Sequence, residues 1–219
     1  MIAFIADIHG NLPALQAVLE ALGRYDIDQI YSLGDVAGYY PLINECIELL
    51  RDCGAVNILG NHDNYLANGI ECPRSASVNK AIAYQRSVIT KENLLWLKNS
   101  PGHLETDEFF AVHGGIHDYL EEYTEDPVYP EIPQKLFLCG HTHKAVYAAS
   151  GDRIFCNPGS VGQPRDNDRR ASYAVYSRQD GIILYRTEYD ISYIAGAAAK
   201  AGFTPGFYNG LYTGKAIGQ

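Results

Sequence analysis

Two histidines separated by one threonine, His141 and His143, directly follow a short apolar run in the middle of the chain. On a β-strand, side chains two residues apart point to the same face, so this pair can place two imidazoles close together. Imidazole is the commonest side-chain metal ligand near neutral pH. The pair could be half of a metal site or a chance pair on a surface strand, and residues elsewhere in the chain must decide.

Residue types that bind metals also follow the other apolar runs that are predicted to be central strands. In α/β sheets, the loops at the carboxyl ends of the strands converge, and ligands bind there. Five predicted strands each end in an Asp, Asn or His, and independent placement of so many such residues is improbable. The candidate metal ligands are Asp7, His9, Asp35, Asn61, His113, His141 and His143.

These candidates combine carboxylate, amide and imidazole groups without any thiolate. Such mixed oxygen and nitrogen ligands suit Mn, Fe, Zn or Co rather than Fe–S clusters or Cu(I). The set is too large for one tetrahedral zinc and suits two ions that share a carboxylate. Two ions about 4 Å apart can hold the attacking and leaving oxygens of a phosphoryl transfer. We therefore expect two divalent metal ions, Mn first, with Fe, Zn, Ni, Co or Mg as alternatives, and a small-molecule phosphate ester as substrate.

The elements that position these residues follow from the hydrophobic pattern. Residues 2–6, 29–33 and 55–59 are short apolar runs typical of buried strands. Apolar residues at helical spacing separate them, over residues 12–24 and 43–54. Alternation of strands and helices predicts a parallel or mostly parallel sheet.

The second half of the chain has a different pattern. Helices are expected at about 76–88 and 91–98, and strands at 108–112 and 135–139. Short alternating runs then follow between residues 146 and 189, separated by glycine-containing turns. These runs predict antiparallel strands.

Length and composition fit one globular domain over residues 1–219, with a tail at about 191–219 that begins as a helix and continues irregularly. The net charge of −9 argues against bulk binding to nucleic acid, which needs clustered Lys and Arg. The five cysteines form no C-x-x-C pair, so no disulfide framework or thiolate zinc site is expected. Without a signal peptide or a membrane-spanning apolar run, a cytoplasmic protein with no membrane partner is expected. Oligomerisation remains possible.

The motifs D-x-H, GD, GNHD, HG and GHTH occur in this order between Asp7 and His143. This series resembles the calcineurin-like metallophosphoesterase superfamily. The spacing and the following NPGSVGQPR are similar to the small bacterial and archaeal branch, often described as phosphodiesterases. The resemblance continues to about Tyr176 and covers most of the chain. Together with the hydrophobic pattern it implies an α/β fold, a four-layer αββα sandwich of two mixed β-sheets flanked by helices.

The resemblance also implies roles for individual residues. A hydroxide that bridges the two ions would attack phosphorus in line. His62 would protonate the leaving oxygen or stabilise the transition state, although a structural loop histidine is the alternative. Asp63 would orient the loop from behind the ligands. One ion would be held by Asp7, His9, Asp35 and His143, and the other by Asp35, Asn61, His113 and His141.

The sequence departs from the protein-phosphatase branch of the superfamily. That branch has an acidic residue three positions after the shared aspartate, followed by a phosphate-binding arginine. Here these positions are Gly38 and Tyr39, so phosphoserine or phosphothreonine proteins are not expected as substrates. The next residue, Tyr40, could stack on a base or pack internally, and packing is favoured.

Three further residues are candidates for substrate binding. Asn11 could contact the phosphate or cap the helix that begins near Leu12, since Asn is a good N-cap. Arg165 could contact phosphate, although a solvated loop arginine is favoured. His117 follows the His113 loop and could line the cleft.

Three functions fit this sequence. A phosphodiesterase acting on a small or nucleotide-like substrate comes first, because a site poor in placed arginines suits the less charged diester. A phosphomonoesterase acting on a small phosphorylated metabolite would use the same ligands. A non-catalytic protein-binding scaffold is the third, as in a retromer subunit of this fold that lacks the catalytic histidine. The presence of His62 argues against that scaffold.

Overall fold

A computed structural model describes residues 1–218 as two five-stranded β-sheets with associated helices. The strands are β1 (Ile2–Ile5), β2 (Gln29–Ser32), β3 (Val56–Asn57), β4 (His103–Glu105), β5 (Phe109–Val112), β6 (Leu136–Leu138), β7 (Ala145–Ser150), β8 (Arg153–Pro158), β9 (Ala171–Ser177) and β10 (Gly181–Thr187). The helices are α1 (Leu12–Leu22), α2 (Ile43–Asp52), α3 (Asn61–Asn68), α4 (Ala76–Val88), α5 (Lys91–Lys98) and α6 (Ile191–Lys200).

Both sheets are mixed. The first has the strand order β10-β9-β1-β2-β3, in which β1, β2 and β3 run parallel and β9 and β10 run antiparallel to their neighbours. The second has the order β4-β5-β6-β8-β7, with β5, β6 and β8 parallel and antiparallel strands at both edges. The predicted αββα-type sandwich of two mixed sheets with flanking helices is confirmed, with the segment between β5 and β6 in place of helices on the second sheet.

The sheets pack face to face through an apolar layer that both contribute. Phe4 and Leu33 of the first sheet belong to the same buried cluster as Phe109 and Leu138 of the second. On the other side of β1, Ala3 and Ile5 pack in a separate cluster that includes residues of α1 and α2. Because β1 is buried on both faces, its sequence is a continuous apolar run rather than an alternating one.

The outer face of the second sheet is covered by a non-helical segment. Phe110, Phe137 and Phe155 form a buried cluster there, against partly buried residues between 116 and 132. This segment leaves the end of β5 and returns to the start of β6. It therefore begins at the carboxyl end of β5 and crosses to the amino end of β6.

Helices α4 and α5 have the bounds that the periodicity predicts. Helix α3 was not predicted, because its first residues were interpreted as a loop motif. The tail after α6 forms two 3-10 turns, Pro205–Phe207 and Asn209–Tyr212, and packs on its own chain. Phe203 and Phe207 are buried there against Ala81 and Ala198. Within residues 1–218, no helix combines the length and apolar character that crossing a bilayer requires.

Candidate active site

The candidate metal ligands converge where the two sheets meet, at the carboxyl ends of β1, β2 and β3 in one sheet and of β5 and β6 in the other. The prediction placed all of them along one edge, whereas the structure divides them between two facing sheets. All the candidate ligands are buried, with at most 4% exposure. Burying the carboxylates of this cluster would cost free energy unless bound cations compensate their negative charge.

The backbone at this cluster is strained. Within residues 1–218, seven non-glycine residues have a positive φ angle, and six of them lie at the site: Asp7, His9, Asp35, Tyr39, His141 and His143. Left-handed backbone is unfavourable for residues with a Cβ and persists where the surrounding structure imposes it. Five of these six residues are candidate ligands, so the strain is concentrated where metal ions would bind.

One group of candidate ligands consists of Asp7, His9 and His143. The two imidazole Nε2 atoms lie 3.0 Å apart, and the Asp7 Oδ1 atom lies 3.5 Å from His143 Nε2. The Nδ1 atom of His9 lies 2.7 Å from the Ala37 carbonyl, and that of His143 lies 2.6 Å from the Gln163 carbonyl. Because Nδ1 is the donor in these bonds, each Nε2 presents a lone pair to the centre.

A second group consists of Asp35, His113 and His141. The Asp35 Oδ2 atom lies 3.4 Å from His113 Nε2, and it also lies 3.8 Å from His9 Nε2 of the first group. His113 Nδ1 donates to the Leu33 carbonyl at 2.7 Å, and Asn61 Oδ1 lies 3.2 Å from His113 Nε2. Asp35 thus lies between the two groups, as a shared ligand would.

Unpartnered atoms show that this arrangement fits metal ions. Asp7 Oδ1, Asp35 Oδ2 and His141 Nε2 are buried and have no hydrogen-bond partner. The other oxygen of each carboxylate accepts a backbone N–H, from His141 to Asp7 and from His62 to Asp35. Each carboxylate therefore has one oxygen fixed by the backbone and one free to bind a cation.

The pKa values of the cluster are shifted by burial and by the neighbouring charges. Burial raises the pKa of Asp7 to about 8, and the nearby Asp35 carboxylate adds to this effect. Burial also acts to raise the pKa of Asp35, but His113 and His62 hold it below its usual value. Burial lowers the pKa of His141 to about 3, so this imidazole is neutral, as a metal ligand must be.

His62 and Asp63 lie in the first turn of α3. His62 Nε2 is 3.9 Å from Asp35 Oδ2, and the geometry alone would also group His62 with Asp35 and His9 as ligands. The Asp63 carboxylate accepts the backbone N–H groups of Asp35 at 2.9 Å, Ala37 at 2.8 Å and Gly60 at 3.2 Å. Asp63 therefore ties the loop after β2 to the start of α3.

A cavity of about 280 Å³ opens over the cluster. Asp35, His62 and His141 form part of its floor. Around them are polar and aromatic side chains from loops that are distant in sequence. The remaining lining residues are Tyr39, Asn61, Cys72, Arg74, Ser75, Val78, Tyr123, His143 and Arg165.

A model of the calcineurin-like phosphoesterase superfamily domain matches residues 1–181. The chain belongs to this superfamily. An uncharacterised protein of Methanocaldococcus jannaschii is 34% identical over 220 residues, covering 87% of this chain and 88% of that protein. A crystal structure of a metallophosphoesterase from Sphaerobacter thermophilus superimposes with a TM-score of 0.84 at 31% identity, covering 97% of this chain and 98% of that one. The phosphodiesterase YfcE of Escherichia coli K12 is 25% identical over 78% of this chain and 84% of its own length.

Membership makes the protein a metallophosphoesterase, a hydrolase that acts on phosphoric ester bonds. The cavity is not lined by every residue that the sequence suggested for substrate contact. Asn11 caps α1, because its side chain accepts the Ala14 N–H at 3.3 Å and donates to the Gly162 carbonyl at 2.7 Å. His117 is exposed and is not among the cavity-lining residues. Neither position supports the predicted contact with substrate.

Two predictions about residues near the cavity have opposite outcomes. The packing role of Tyr40 is confirmed, because its side chain is fully buried. The favoured interpretation of Arg165 as a solvated loop residue is wrong. Its guanidinium lies over the Tyr39 ring, 5.5 Å from the centroid, and donates to the Tyr39 hydroxyl at 2.8 Å. Arg165 lines the cavity instead.

Sequence reasoning did not identify Arg74 or Tyr123 as site residues. They come from two long segments, around residues 64–90 and 115–133, that contain no recognisable motif. Only the presence of a charged and an aromatic residue in such segments could have drawn attention to them. The fold brings them together, with the Arg74 guanidinium 5.9 Å from the Tyr123 ring centroid.

Proposed function

We propose that this metallophosphoesterase is a dinuclear phosphodiesterase that hydrolyses a small or nucleotide-like phosphodiester. The observation that carries the proposal is the set of buried, unpartnered ligand atoms on Asp7, Asp35 and His141 beneath an open cavity. The similarity to the YfcE phosphodiesterase supports the diester as substrate class.

Two divalent ions would be held by the two ligand groups, and Asp35 would serve both. When bound, the ions would draw the phosphate oxygens and make a water molecule acidic enough to supply the nucleophile near neutral pH. Mn is the first candidate, and Fe, Zn, Ni, Co or Mg are alternatives with oxygen and nitrogen ligands. The proposed ligands are Asp7, His9, Asp35 and His143 for one ion and Asp35, Asn61, His113 and His141 for the other.

His62 would act on the leaving oxygen. Its ring lies in the cavity floor and packs against Tyr39 at 4.9 Å between centroids, and its Nδ1 atom has no hydrogen-bond partner. Burial lowers the pKa of His62 to about 4, so the ring is neutral, and its N–H would donate to the leaving oxygen as negative charge develops there, a contribution of about 10²- to 10³-fold in rate. Asp63 is a positioning residue, because it holds the backbone of Asp35 and Gly60 rather than facing the cavity.

Arg165 would bind the phosphate that is cleaved. Its guanidinium donates only to the neutral oxygens of Tyr39 and Gln163, and it forms no ion pair with a carboxylate within residues 1–218. A half-buried guanidinium whose hydrogen bonds all go to neutral groups keeps its charge for a phosphate in the cavity.

A phosphomonoesterase is the second candidate. The expectation of a site poor in arginines is wrong, because Arg74 and Arg165 both line the cavity. Two arginines suit a more highly charged phosphate, which a monoester provides. Charge alone therefore favours the monoester more than the sequence suggested.

Hydrolysis of two chromogenic esters tests the proposal. The protein is stripped with chelator, given Mn²⁺, and assayed with bis-p-nitrophenyl phosphate and p-nitrophenyl phosphate in parallel. We expect metal-restored cleavage with the higher kcat/KM for the diester, and a loss of about 10²-fold or more in kcat for His62→Gln. His103→Gln, an exposed histidine on β4, is the matched control.

Higher kcat/KM for the monoester would replace the first candidate by the second. If the folded wild type cleaves neither ester with any of the candidate metals, the enzymatic proposal fails. In that case the non-catalytic scaffold becomes the leading explanation.

A further inference from the structure

Both arginines of the cavity occupy equivalent places in two layered stacks. Arg165 lies over Tyr39, and Tyr39 packs against His9 of the first ligand group at 4.4 Å between centroids. Arg74 lies over Tyr123, and Tyr123 packs against His141 of the second group at 4.2 Å. Each ligand group thus has an aromatic ring and then a cation above it.

The two cations differ in depth. Arg165 belongs to the loop after β8, and its backbone N–H donates to the His143 carbonyl at 3.1 Å, so it is anchored directly beside a candidate ligand. The Arg74 side chain is 51% exposed and lies at the rim, next to the half-exposed ring of Tyr123. A phosphate between the ligand groups would be bound by Arg165, whereas a group that binds Arg74 would lie nearer the cavity rim.

Arg74 is held in place and keeps further N–H donors that can bind a ligand. One of its terminal nitrogens forms an ion pair with Glu121, and Glu121 also accepts from the Tyr65 hydroxyl. Tyr65 is buried and lies 3.5 Å from the side-chain nitrogen of Asn61. A guanidinium has five N–H donors, so the bond to Glu121 leaves others for a ligand. Because Glu121 is fixed by a second contact, Arg74 is oriented before any ligand arrives.

The cavity holds a second guanidinium away from the place where Arg165 would bind the cleaved phosphate. A phosphodiester group carries a single negative charge, which Arg165 and the proposed ions already face. The additional cation at the rim therefore fits a substrate with a second anionic group. The cavity, at about 280 Å³, extends from the ligands to Arg74 and is shared by both groups.

We propose that Arg74 is a specificity-determining residue that binds a second phosphate of the substrate, a few bonds away from the phosphate that is cleaved. This inference rests on the proposed function and narrows its substrate class. The substrate is then a small phosphodiester that bears a further phosphate. Glu121 moderates this preference, because it neutralises part of the Arg74 charge.

Two thymidine esters that release the same leaving group test this inference. One is thymidine 5′-(p-nitrophenyl phosphate), and the other carries an additional 3′-phosphate. With Mn²⁺-loaded wild type, we expect the 3′-phosphate to lower KM about 10-fold, with a smaller effect on kcat. We define the KM ratio as the KM of the ester without the 3′-phosphate divided by the KM of the ester with it. This ratio should fall toward one at high ionic strength, because salt screens an exposed cation.

Substitutions on both sides of the ion pair separate binding from a general structural effect. Arg74→Gln should bring the KM ratio close to one, and Arg74→Lys should restore most of it. Glu121→Gln should raise the ratio above that of the wild type, because Arg74 then carries an uncompensated charge. A purely structural role would not move the ratio in opposite directions. Arg170→Gln, whose side chain pairs with Asp168, is the control arginine and should leave the ratio unchanged.

The outcomes distinguish this inference from the function on which it rests. If the wild type cleaves both esters with equal KM, the second phosphate site is overturned and the phosphodiesterase stands. If Glu121→Gln lowers the ratio as Arg74→Gln does, the inference is also overturned. If neither ester is cleaved, the proposed function fails, and the substrate class falls with it.

Discussion

The side chains of the cluster share one way of being held. Asp7 and Asp35 each use one carboxylate oxygen to accept a backbone N–H and leave the other free. His9, His113 and His143 each commit Nδ1 to a backbone carbonyl and turn Nε2 to the centre. Because one end of each group is fixed by the main chain, little reorganisation is needed when cations bind.

Asp63 supports this positioning, because its carboxylate accepts three backbone N–H groups of the loops that carry the cluster. Substituting Asp63→Asn replaces one acceptor oxygen by an NH₂ group that faces backbone N–H donors. We expect the free energy of unfolding to fall by about 3 kcal/mol, because charge-assisted hydrogen bonds are lost and a donor is left unsatisfied. Metal affinity should fall about 10- to 100-fold through displacement of Asp35. Urea unfolding and metal titration measure the two effects.

Asp168→Asn is the matched control, since this carboxylate lies in an exposed pair with Arg170. It should change stability by no more than about 0.5 kcal/mol. Equal stability and equal metal affinity of the Asp63 and Asp168 variants would show that Asp63 does not hold the site.

On the scale of elements, the loops after the strands decide the geometry of the site. Gly38, in the loop between β2 and α2, has a φ angle of +105°. A Cβ atom there would lie 2.3 Å from His62 Nδ1 and 2.7 Å from His9 Nδ1. The absence of a side chain at this position therefore lets two imidazoles approach the backbone.

Gly38→Ala should accordingly reduce activity far more than stability alone explains. We expect kcat to fall at least about 10²-fold, because the added Cβ must displace the His62 ring, which the proposed mechanism needs in place. Gly54→Ala is a matched control, with a positive φ of 68° and nothing within 4 Å of the added Cβ. If both variants keep wild-type kcat, the close packing around His62 has no role in the reaction.

How much the sequence predicts also varies by element. The ends of α4 and α5 follow from apolar periodicity and local capping, where Ser75 and Thr90 accept N–H groups at the helix starts. Helix α3 was not predicted, because its short polar first turn resembles a loop. The candidate ligands were recognisable from residue type at strand ends. The positions of Arg74 and Tyr123 depend on how long loops fold over the cavity, which no local pattern encodes.

On the scale of the whole molecule, the tail after α6 packs against residues next to the cavity wall. Phe203 and Phe207 stack at 4.8 Å between centroids, and the Tyr40 hydroxyl lies 3.4 Å from the Phe207 carbonyl oxygen. Tyr40 follows Tyr39 of the cavity wall. The tail therefore supports the loop that carries Tyr39 from behind.

Removing the buried Phe207 ring should destabilise the protein. Phe207→Ala is expected to lower the free energy of unfolding by about 3 kcal/mol, because a buried ring is replaced by a cavity. Tyr212→Ala, at a ring that is 45% exposed, should cost much less. Chemical denaturation compares them, and similar losses for both variants would argue that the tail is not part of the core.

Metal ions should stabilise the fold as a whole. The ligand atoms lie on both sheets, so ions that bind them connect the two halves of the sandwich. At a metal concentration about 1,000 times Kd, binding contributes about 4 kcal/mol, or about 10 °C in Tm for a chain of this size. Thermal unfolding with chelator and with added Mn²⁺ measures this difference, and Asp35→Asn should reduce it. An unchanged Tm would contradict metal binding by this cluster.

The most direct measurement is a titration of the chelator-stripped protein with Mn²⁺, with diester cleavage followed at each addition. The protein concentration is kept well above Kd so that added metal is bound. Two ions acting together predict little cleavage at one equivalent per chain and a plateau at two. A plateau at one equivalent, or no cleavage at any metal level by the folded protein, would contradict a dinuclear phosphodiesterase.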